Sequence, residues 1–229
     1  MTELIRDENG LALTDGKLKL RADFKESLPR LKNGAVQSEL LVKAARMKGL
    51  AHPCVLDATA GLGQDSILLA AAGFTVELYE YDPVIAALLQ DALERAAAVP
   101  ELKEIVSRMH FHREDSILAM RRMRAARMCQ NPPAIDVVLL DPMFPERRKS
   151  ALVKKKFQLL QQLEHPCANE EDLLNAALGL AARKIVIKRP VKGPYLAGMK
   201  PDYSLTGKAI RYDVILSSGH NAWEQSPSG

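Results

Sequence analysis

Strand-like apolar runs alternate with helix-patterned segments through most of this chain, and that order constrains the fold more than any other feature. The runs are Val55-Leu56-Asp57, Phe74 to Glu80, a third ending in His110-Phe111-His112, Ile135 to Leu140, and Lys184 to Lys188. Between them lie helical patterns at Leu62 to Ala72, Val84 to Ala98, Ile117 to Met128, Ala151 to Leu163 and Glu170 to Arg183. Such alternation predicts an α/β fold, a doubly wound, mostly parallel sheet with helices on both faces. Two last strands, Tyr203 to Thr206 and Ile210 to Leu216, joined by a short turn containing Gly207, are expected to pair antiparallel. Ahead of the sheet, Leu11 to Lys32 alternates apolar and charged positions as a small hairpin would, and Ser38 to Lys48 reads as a helix. The expected organisation is a small N-terminal extension (1–50), one principal domain (51–216) and a polar, disordered tail (217–229). With 229 residues the chain can bury one sizeable core.

In such sheets ligands bind beyond the carboxyl ends of the strands, so the residues there are the candidates for chemistry. Val55-Leu56-Asp57-Ala58-Thr59-Ala60-Gly61-Leu62-Gly63-Gln64-Asp65 reads as strand, glycine turn and helix start. Gly61 and Gly63 allow the backbone to approach a ligand closely, beside a helix N-terminus. The residue three beyond Gly63 is Ser66, so the dinucleotide fingerprint G-x-G-x-x-G is absent, which argues against NAD. Asp57 repels a pyrophosphate and suits a ligand carrying an ammonium group; S-adenosyl-L-methionine has the ammonium and no phosphate. The next strand ends in Glu80-Tyr81-Asp82-Pro83, with Glu80 about twenty residues past the glycine turn, where a ribose-binding carboxylate is expected. Asp82 reads as the N-cap of the helix that Pro83 opens. Asp115, followed by Ser116, either accepts the adenine amino group or caps the next helix.

The fourth run leads into Asp141-Pro142-Met143-Phe144-Pro145. Two prolines restrict the turn, so Asp141 and the Pro142 carbonyl can accept the two hydrogens of an exocyclic amine. Phe144 can stack on its ring, a contact of about 1–3 kcal/mol. This is a layout for amine methylation; the plainer alternative is an ordinary strand followed by a proline-rich turn.

Net charge is only +4, so any polyanion-binding face must come from clustering. Arg147, Arg148, Lys149, Lys154, Lys155 and Lys156 follow the Asp-Pro-Met-Phe segment, and Arg183, Lys184, Lys188, Arg189 and Lys192 bracket the fifth strand. Cations beside such a site would hold polynucleotide phosphates. Arg121, Arg122, Arg124 and Arg127 read instead as a solvated helix face. Cys54, Cys129 and Cys167 are too widely spaced for a metal pair or a disulfide framework, which suits a reducing cytoplasm. No secretory leader or bilayer-length apolar run is present, so neither membrane nor metal is expected.

Taken in order, a glycine loop, a ribose carboxylate, an adenine-side Asp and Asp-Pro-Met-Phe make the chain resemble the ribosomal RNA small subunit methyltransferase J family. The resemblance spans about Glu39 to Leu216. It is carried by Asp57-Ala58-Thr59-Ala60-Gly61-Leu62-Gly63, by Asp82-Pro83-Val84-Ile85-Ala86-Ala87-Leu88-Leu89, and by Asp141-Pro142-Met143-Phe144-Pro145 with Lys149-Ser150-Ala151-Leu152-Val153-Lys154-Lys155. The chain departs from the family's pattern at Leu31 to Glu39, where a Gly/Arg-rich run is expected, at Gln64, where a basic residue is expected, and in a short N-terminal region.

The resemblance implies a Rossmann-like class I methyltransferase with a C-terminal antiparallel hairpin. It further implies methyl transfer from S-adenosyl-L-methionine to guanine N2 in 16S rRNA or the small ribosomal subunit, at guanosine 1516. Asp141, Pro142 and Phe144 are then the expected catalytic residues. Asp57, Ala58, Gly61, Gly63, Glu80, Tyr81, Asp115, Ser116 and Asp141 are expected to bind the cofactor, and Arg147, Arg148, Lys149, Lys154, Lys155, Lys188 and Arg189 the RNA. An amino-methyltransferase acting on DNA or a protein amide, or a non-catalytic RNA-binding module, are the alternatives.

Overall fold

The computed structural model describes residues 2–127, 134–142 and 170–217. Met143, Phe144, Pro145, Arg147, Arg148, Lys149, Lys154, Lys155, the expected helix from Ala151 to Leu163, and Cys129 and Cys167 lie outside the described residues, as does the tail beyond residue 217.

A seven-stranded sheet forms the centre, in the order β6-β5-β4-β7-β8-β10-β9. Its strands are β4 (Cys54–Asp57), β5 (Thr75–Tyr79), β6 (Met109–His112), β7 (Val137–Leu140), β8 (Lys184–Pro190), β9 (Tyr203–Thr206) and β10 (Ile210–Leu216). From β6 through β8 the pairing is parallel, and β10 runs antiparallel to both β8 and β9. The central runs are apolar throughout because a sheet covered on both faces buries both sets of alternating side chains. Val55, Val76, Val137, Leu139, Val186 and Val214 pack on one face with α3 (Leu40–Ala45) and α4 (Gln64–Ala71). Leu56, Val138, Leu140, Ile185, Ile187 and Ile215 pack on the other with α7 (Ser116–Arg127) and α8 (Glu170–Gly179).

Register decides what meets at the carboxyl edge. Asp57 pairs with Leu139 and Leu78, Leu140 pairs with Ile187, and Lys188 pairs with Tyr212. Asp57, Glu80, Asp141 and Lys188 therefore all emerge at one edge.

The N-terminal residues depart from expectation in part. β2 (Gly10–Thr14) and the two-residue β3 (Lys19–Leu20) pair antiparallel as the expected hairpin, and an unexpected β1 (Glu3–Asp7), joined to β2 through Glu8 and Asn9, makes it a meander. Part of the segment expected as a hairpin is instead helical: Asp23 caps a 3-10 turn at Phe24–Ser27, followed by α1 (Leu28–Leu31). The meander seats Leu13 and Leu20 on Ile85 and Leu88 of α5 (Pro83–Ala97). It is fastened there by Asp91, which is 4% exposed and accepts from Arg6 at 2.7 Å, the Leu11 amide at 3.0 Å and Arg95 at 2.7 Å. The helix expected over Ser38 to Lys48 is the shorter α3, and a separate α2 (Asn33–Ser38) precedes it, because Glu39 adopts an extended ψ of 136° between the two. A further helix, α6 (Pro100–Val106), intervenes before β6 where none was expected. No helix among the described residues is long and apolar enough to cross a membrane.

Candidate active site at the carboxyl edge of the sheet

The turn after β4 is built by hydrogen bonds and by two glycines with different duties. Gly61 and Gly63 have φ of 53° and 74°, in the left-handed region that costs other residues strain. For this reason the helix begins at Gln64 rather than Leu62. A Cβ on Gly63 would lie 2.8 Å from Leu89 Cδ1 and 3.0 Å from Phe24 Cζ, so this glycine permits packing. A Cβ on Gly61 would meet nothing within 4 Å, so the backbone there faces open space.

Asp57 is 2% exposed; its Oδ2 accepts from Ser66 Oγ at 2.5 Å and its Oδ1 from the Thr59 amide at 3.2 Å. Burial pushes its carboxyl up to about 7, with the nearby Asp65 and Asp141 acting in the same direction. Asp57 thus braces the turn from inside. Glu80 accepts from the Gly61 amide at 3.1 Å and from the Asp82 amide at 2.8 Å, one bond to each oxygen. A carboxylate oxygen can accept more than one bond, so these amides orient Glu80 while leaving capacity for a diol. Burial raises the Glu80 carboxyl above its usual range against the pull of the two amides.

The other expected contacts sit along the same edge. Tyr81 is 64% exposed, whereas Ala58 and Ser116 are buried. Asp82 caps α5 by accepting from the Val84 and Ile85 amides, both at 2.9 Å, as expected. For Asp115, left between two roles by its sequence, Oδ1 caps α7 through the Ile117 amide at 2.8 Å and the Leu118 amide at 3.1 Å.

Asp141 stands next to this loop. Its amide donates to Thr59 Oγ1 at 2.7 Å, and Ala58 donates to the Leu139 carbonyl at 3.0 Å, which ties the end of β7 to the turn after β4. Pro142 is buried. The Asp141 carboxylate meets Lys188 Nζ at 2.8 Å, and Lys188 Nζ also donates to Asp65 Oδ2 at 2.5 Å. Burial works against the Lys188 charge, but Asp65 and Asp141 more than offset it and hold the ammonium above its usual range. Tyr212 lies beside them, its hydroxyl raised well above the usual tyrosine range by burial and then by Asp65.

Three of these residues escaped the sequence reading. Asp65 had a signal, an acidic residue in the first turn of the helix that follows the glycines. Thr59 and Tyr212 had none, because their relevance depends on register. Two expected RNA contacts need correction. The Arg189 side chain is 0% exposed and donates to the Pro194 carbonyl at 3.0 Å and to Glu170 at 3.2 Å, so it cannot present itself to a phosphate. Lys188 is 19% exposed and its ammonium lies between two carboxylates, inside the site rather than on a phosphate-facing surface.

Open space at Gly61, an amide-oriented carboxylate at Glu80 and the absence of a phosphate-binding fingerprint fit S-adenosylmethionine, whose ribose diol needs acceptors and whose charge is positive. Comparison with known proteins agrees. The profile of the family described as "Putative SAM-dependent methyltransferase" matches residues 2–217. The ribosomal RNA small subunit methyltransferase J of Pseudoalteromonas atlantica is 46% identical over 187 residues, covering 80% of this chain and 70% of the relative. The enzyme of the same name from Neisseria gonorrhoeae is 40% identical over 213 residues, covering 93% of this chain and 82% of the relative. The crystal structure of a SAM-dependent methyltransferase from Neisseria gonorrhoeae superposes with a TM-score of 0.74 at 31% identity, covering 99% of this chain and 87% of that one. An rRNA methyltransferase from Streptomyces viridochromogenes, 16% identical with a TM-score of 0.52 over 84% of this chain and 87% of its own, shares the fold. On its sequence and its fold alike, this chain belongs to the ribosomal RNA small subunit methyltransferase J family of SAM-dependent methyltransferases.

Proposed function

We propose that this chain methylates the exocyclic N2 of a guanosine in 16S rRNA, guanosine 1516 of the small subunit, in the cytoplasm. The observation that carries the reading is the attachment of Asp141 to the cofactor turn by the 2.7 Å bond to Thr59, which joins an amine acceptor to a methyl-donor site through one rigid contact. The names of the relatives support small-subunit RNA as the substrate.

Residues 51–216 form the transferase domain in this reading, and 1–50 an extension whose meander packs on α5 and whose α3 packs on the sheet. Glu80 holds the ribose, the backbone at Ala58 and Gly61 lines the donor, and Tyr81, Asp115 and Ser116 flank the adenine, while Asp57 and Gly63 keep the turn in shape. Bound S-adenosylmethionine would supply a methyl group activated on its sulfonium, with a neutral thioether as the leaving group. Asp141 and the Pro142 carbonyl accept the two amine hydrogens and aim the nitrogen lone pair. Asp141 or water takes the proton that the alkylated nitrogen loses. Positioning carries most of the rate enhancement. Phe144 stacks on the guanine, and Arg147, Arg148, Lys149, Lys154 and Lys155 hold phosphates, which makes binding strongly salt-dependent.

The test offers radiolabelled S-adenosylmethionine with naked 16S rRNA and with small subunits from cells lacking the enzyme. Label is expected in N2-methylguanosine and absent with Asp141→Ala. No label on either RNA, despite cofactor binding, would overturn the assignment, and label in DNA or protein would redirect it.

A further inference from the structure

The end of β8 places a lysine where the proposed mechanism has no use for one. Parallel pairing of Leu140 with Ile187 sets Asp141 beside Lys188, and antiparallel pairing sets Lys188 beside Tyr212, so the three form a row across β7, β8 and β10. All three lie on the sheet face covered by α4, which brings Asp65 over the row. Lys188 Nζ spans the two acids, 2.5 Å from Asp65 Oδ2 and 2.8 Å from Asp141 Oδ2. We propose that Lys188 is a positioning residue for methyl transfer, a bridge that fixes the orientation of the Asp141 carboxylate and anchors it to the helix of the cofactor turn. This rests on Asp141 being the amine acceptor.

The charges around the row explain why a bridge is needed. Asp65 comes from α4 and Asp141 from the end of β7, and Asp57, from β4, interacts electrostatically with both. Tyr212 faces Lys188 from β10, with Glu39 beyond it, and Arg30 interacts with Asp65 and Tyr212. Three carboxyl groups sharing a partly buried edge repel one another, and like charges at close range force protonation of one member. A protonated Asp141 would be a poorer acceptor for the amine. A lysine suits this place because a point charge on a flexible stem can face two acids at once. Asp65 in turn sits two residues after Gly63, so the bridge links the turn that holds the donor to the residue that holds the acceptor.

The experiment compares wild type, Asp141→Ala, Lys188→Met, Lys188→Arg and Asp65→Asn in full-length protein, with S-adenosylhomocysteine affinity by calorimetry as a folding check. Lys188→Met is expected to lower kcat by about 100-fold, the scale of a misplaced reacting group, with KM for RNA little changed. The acid limb of its kcat profile is expected to move up by about 1–2 pH units, the usual effect of removing an adjacent opposite charge. Lys188→Arg restores part of the rate. Asp65→Asn leaves Lys188 to Asp141 alone and shifts the limb the opposite way, which a merely structural lysine would not produce; this variant decides the matter if Lys188→Met fails to fold. Carboxyl 13C NMR gives a readout independent of turnover: the resonance missing in Asp141→Ala should titrate at higher pH in Lys188→Met. Wild-type kcat and an unmoved acid limb in Lys188→Met, with Asp141→Ala inactive, would overturn this inference alone. An RNA-inactive wild type that binds cofactor would overturn the parent reading with it.

Discussion

Gly61 and Gly63 share a backbone conformation and differ in surroundings, so the same substitution at each should have opposite consequences. At Gly63 an alanine methyl lands 2.8 Å from Leu89 Cδ1 and 3.0 Å from Phe24 Cζ, in a core where Leu89 is 0% and Phe24 1% exposed. Left-handed strain costs about 1–2 kcal/mol, overpacking adds about 1–3 kcal/mol, and the stiffer unfolded chain returns about 0.4–1 kcal/mol. The net is about 3 kcal/mol, or roughly 9 °C in Tm for a chain of this size. At Gly61 the methyl meets nothing within 4 Å, so only the strain remains. That leaves about 1 kcal/mol, or roughly 3 °C. If the open space is where the cofactor sits, however, Gly61→Ala should weaken binding at least about tenfold, a loss of about 1.4 kcal/mol. Thermal unfolding without ligand and calorimetric titration with S-adenosylhomocysteine measure the two quantities separately. Equal Tm losses in the two variants, or wild-type affinity in Gly61→Ala, would refute the assignment of one glycine to packing and the other to the donor.

Two further outcomes follow from buried polar groups. The Asp57 carboxyl stands at about 7 in the fold against an ordinary 3.8, so between about pH 4 and 7 the native state binds the extra proton and stability falls as pH rises. Asp57→Asn should therefore gain stability relative to wild type as pH climbs through that window. Urea midpoints across the range check this, and a difference that stays constant or shrinks would count against it. Lys184, 7% exposed, donates to the carbonyls of Ala44 at 2.9 Å and Arg46 at 2.8 Å, closing the end of α3. Lys184→Met should lose about 1–3 kcal/mol of unfolding free energy by stranding those carbonyls, with cofactor affinity unchanged.

Much of the framework could be read from the chain because its signals are local. Apolar runs marked the strands, Gly61 and Gly63 marked the turn, and Asp82-Pro83 marked a helix start that the observed cap reproduces. The misreadings arose where local pattern was ambiguous. Alternation after Leu11 does mark a hairpin, β2 with β3, but the strand upstream of Glu8 and Asn9 and the helical turns from Phe24 onward lay outside that pattern. Helical periodicity from Ser38 onward was real, but the extended backbone at Glu39 sets its start back to Leu40, and α3 packs on the sheet while α2 packs on α1 and α4.

Lys188 and Arg189 show where sequence alone stops. The chain by itself determined that two cations follow a buried strand at the ligand-binding edge, and it offered the same role to both. Side chains alternate across a strand, so tertiary structure sent them to opposite faces. Lys188 fell under α4, between Asp65 and Asp141, while Arg189 fell on the side of α8, sealed against Glu170 and the Pro194 carbonyl. Identity and order are written in the chain, but which carboxylate meets which cation is decided only when register aligns strands that are distant in sequence.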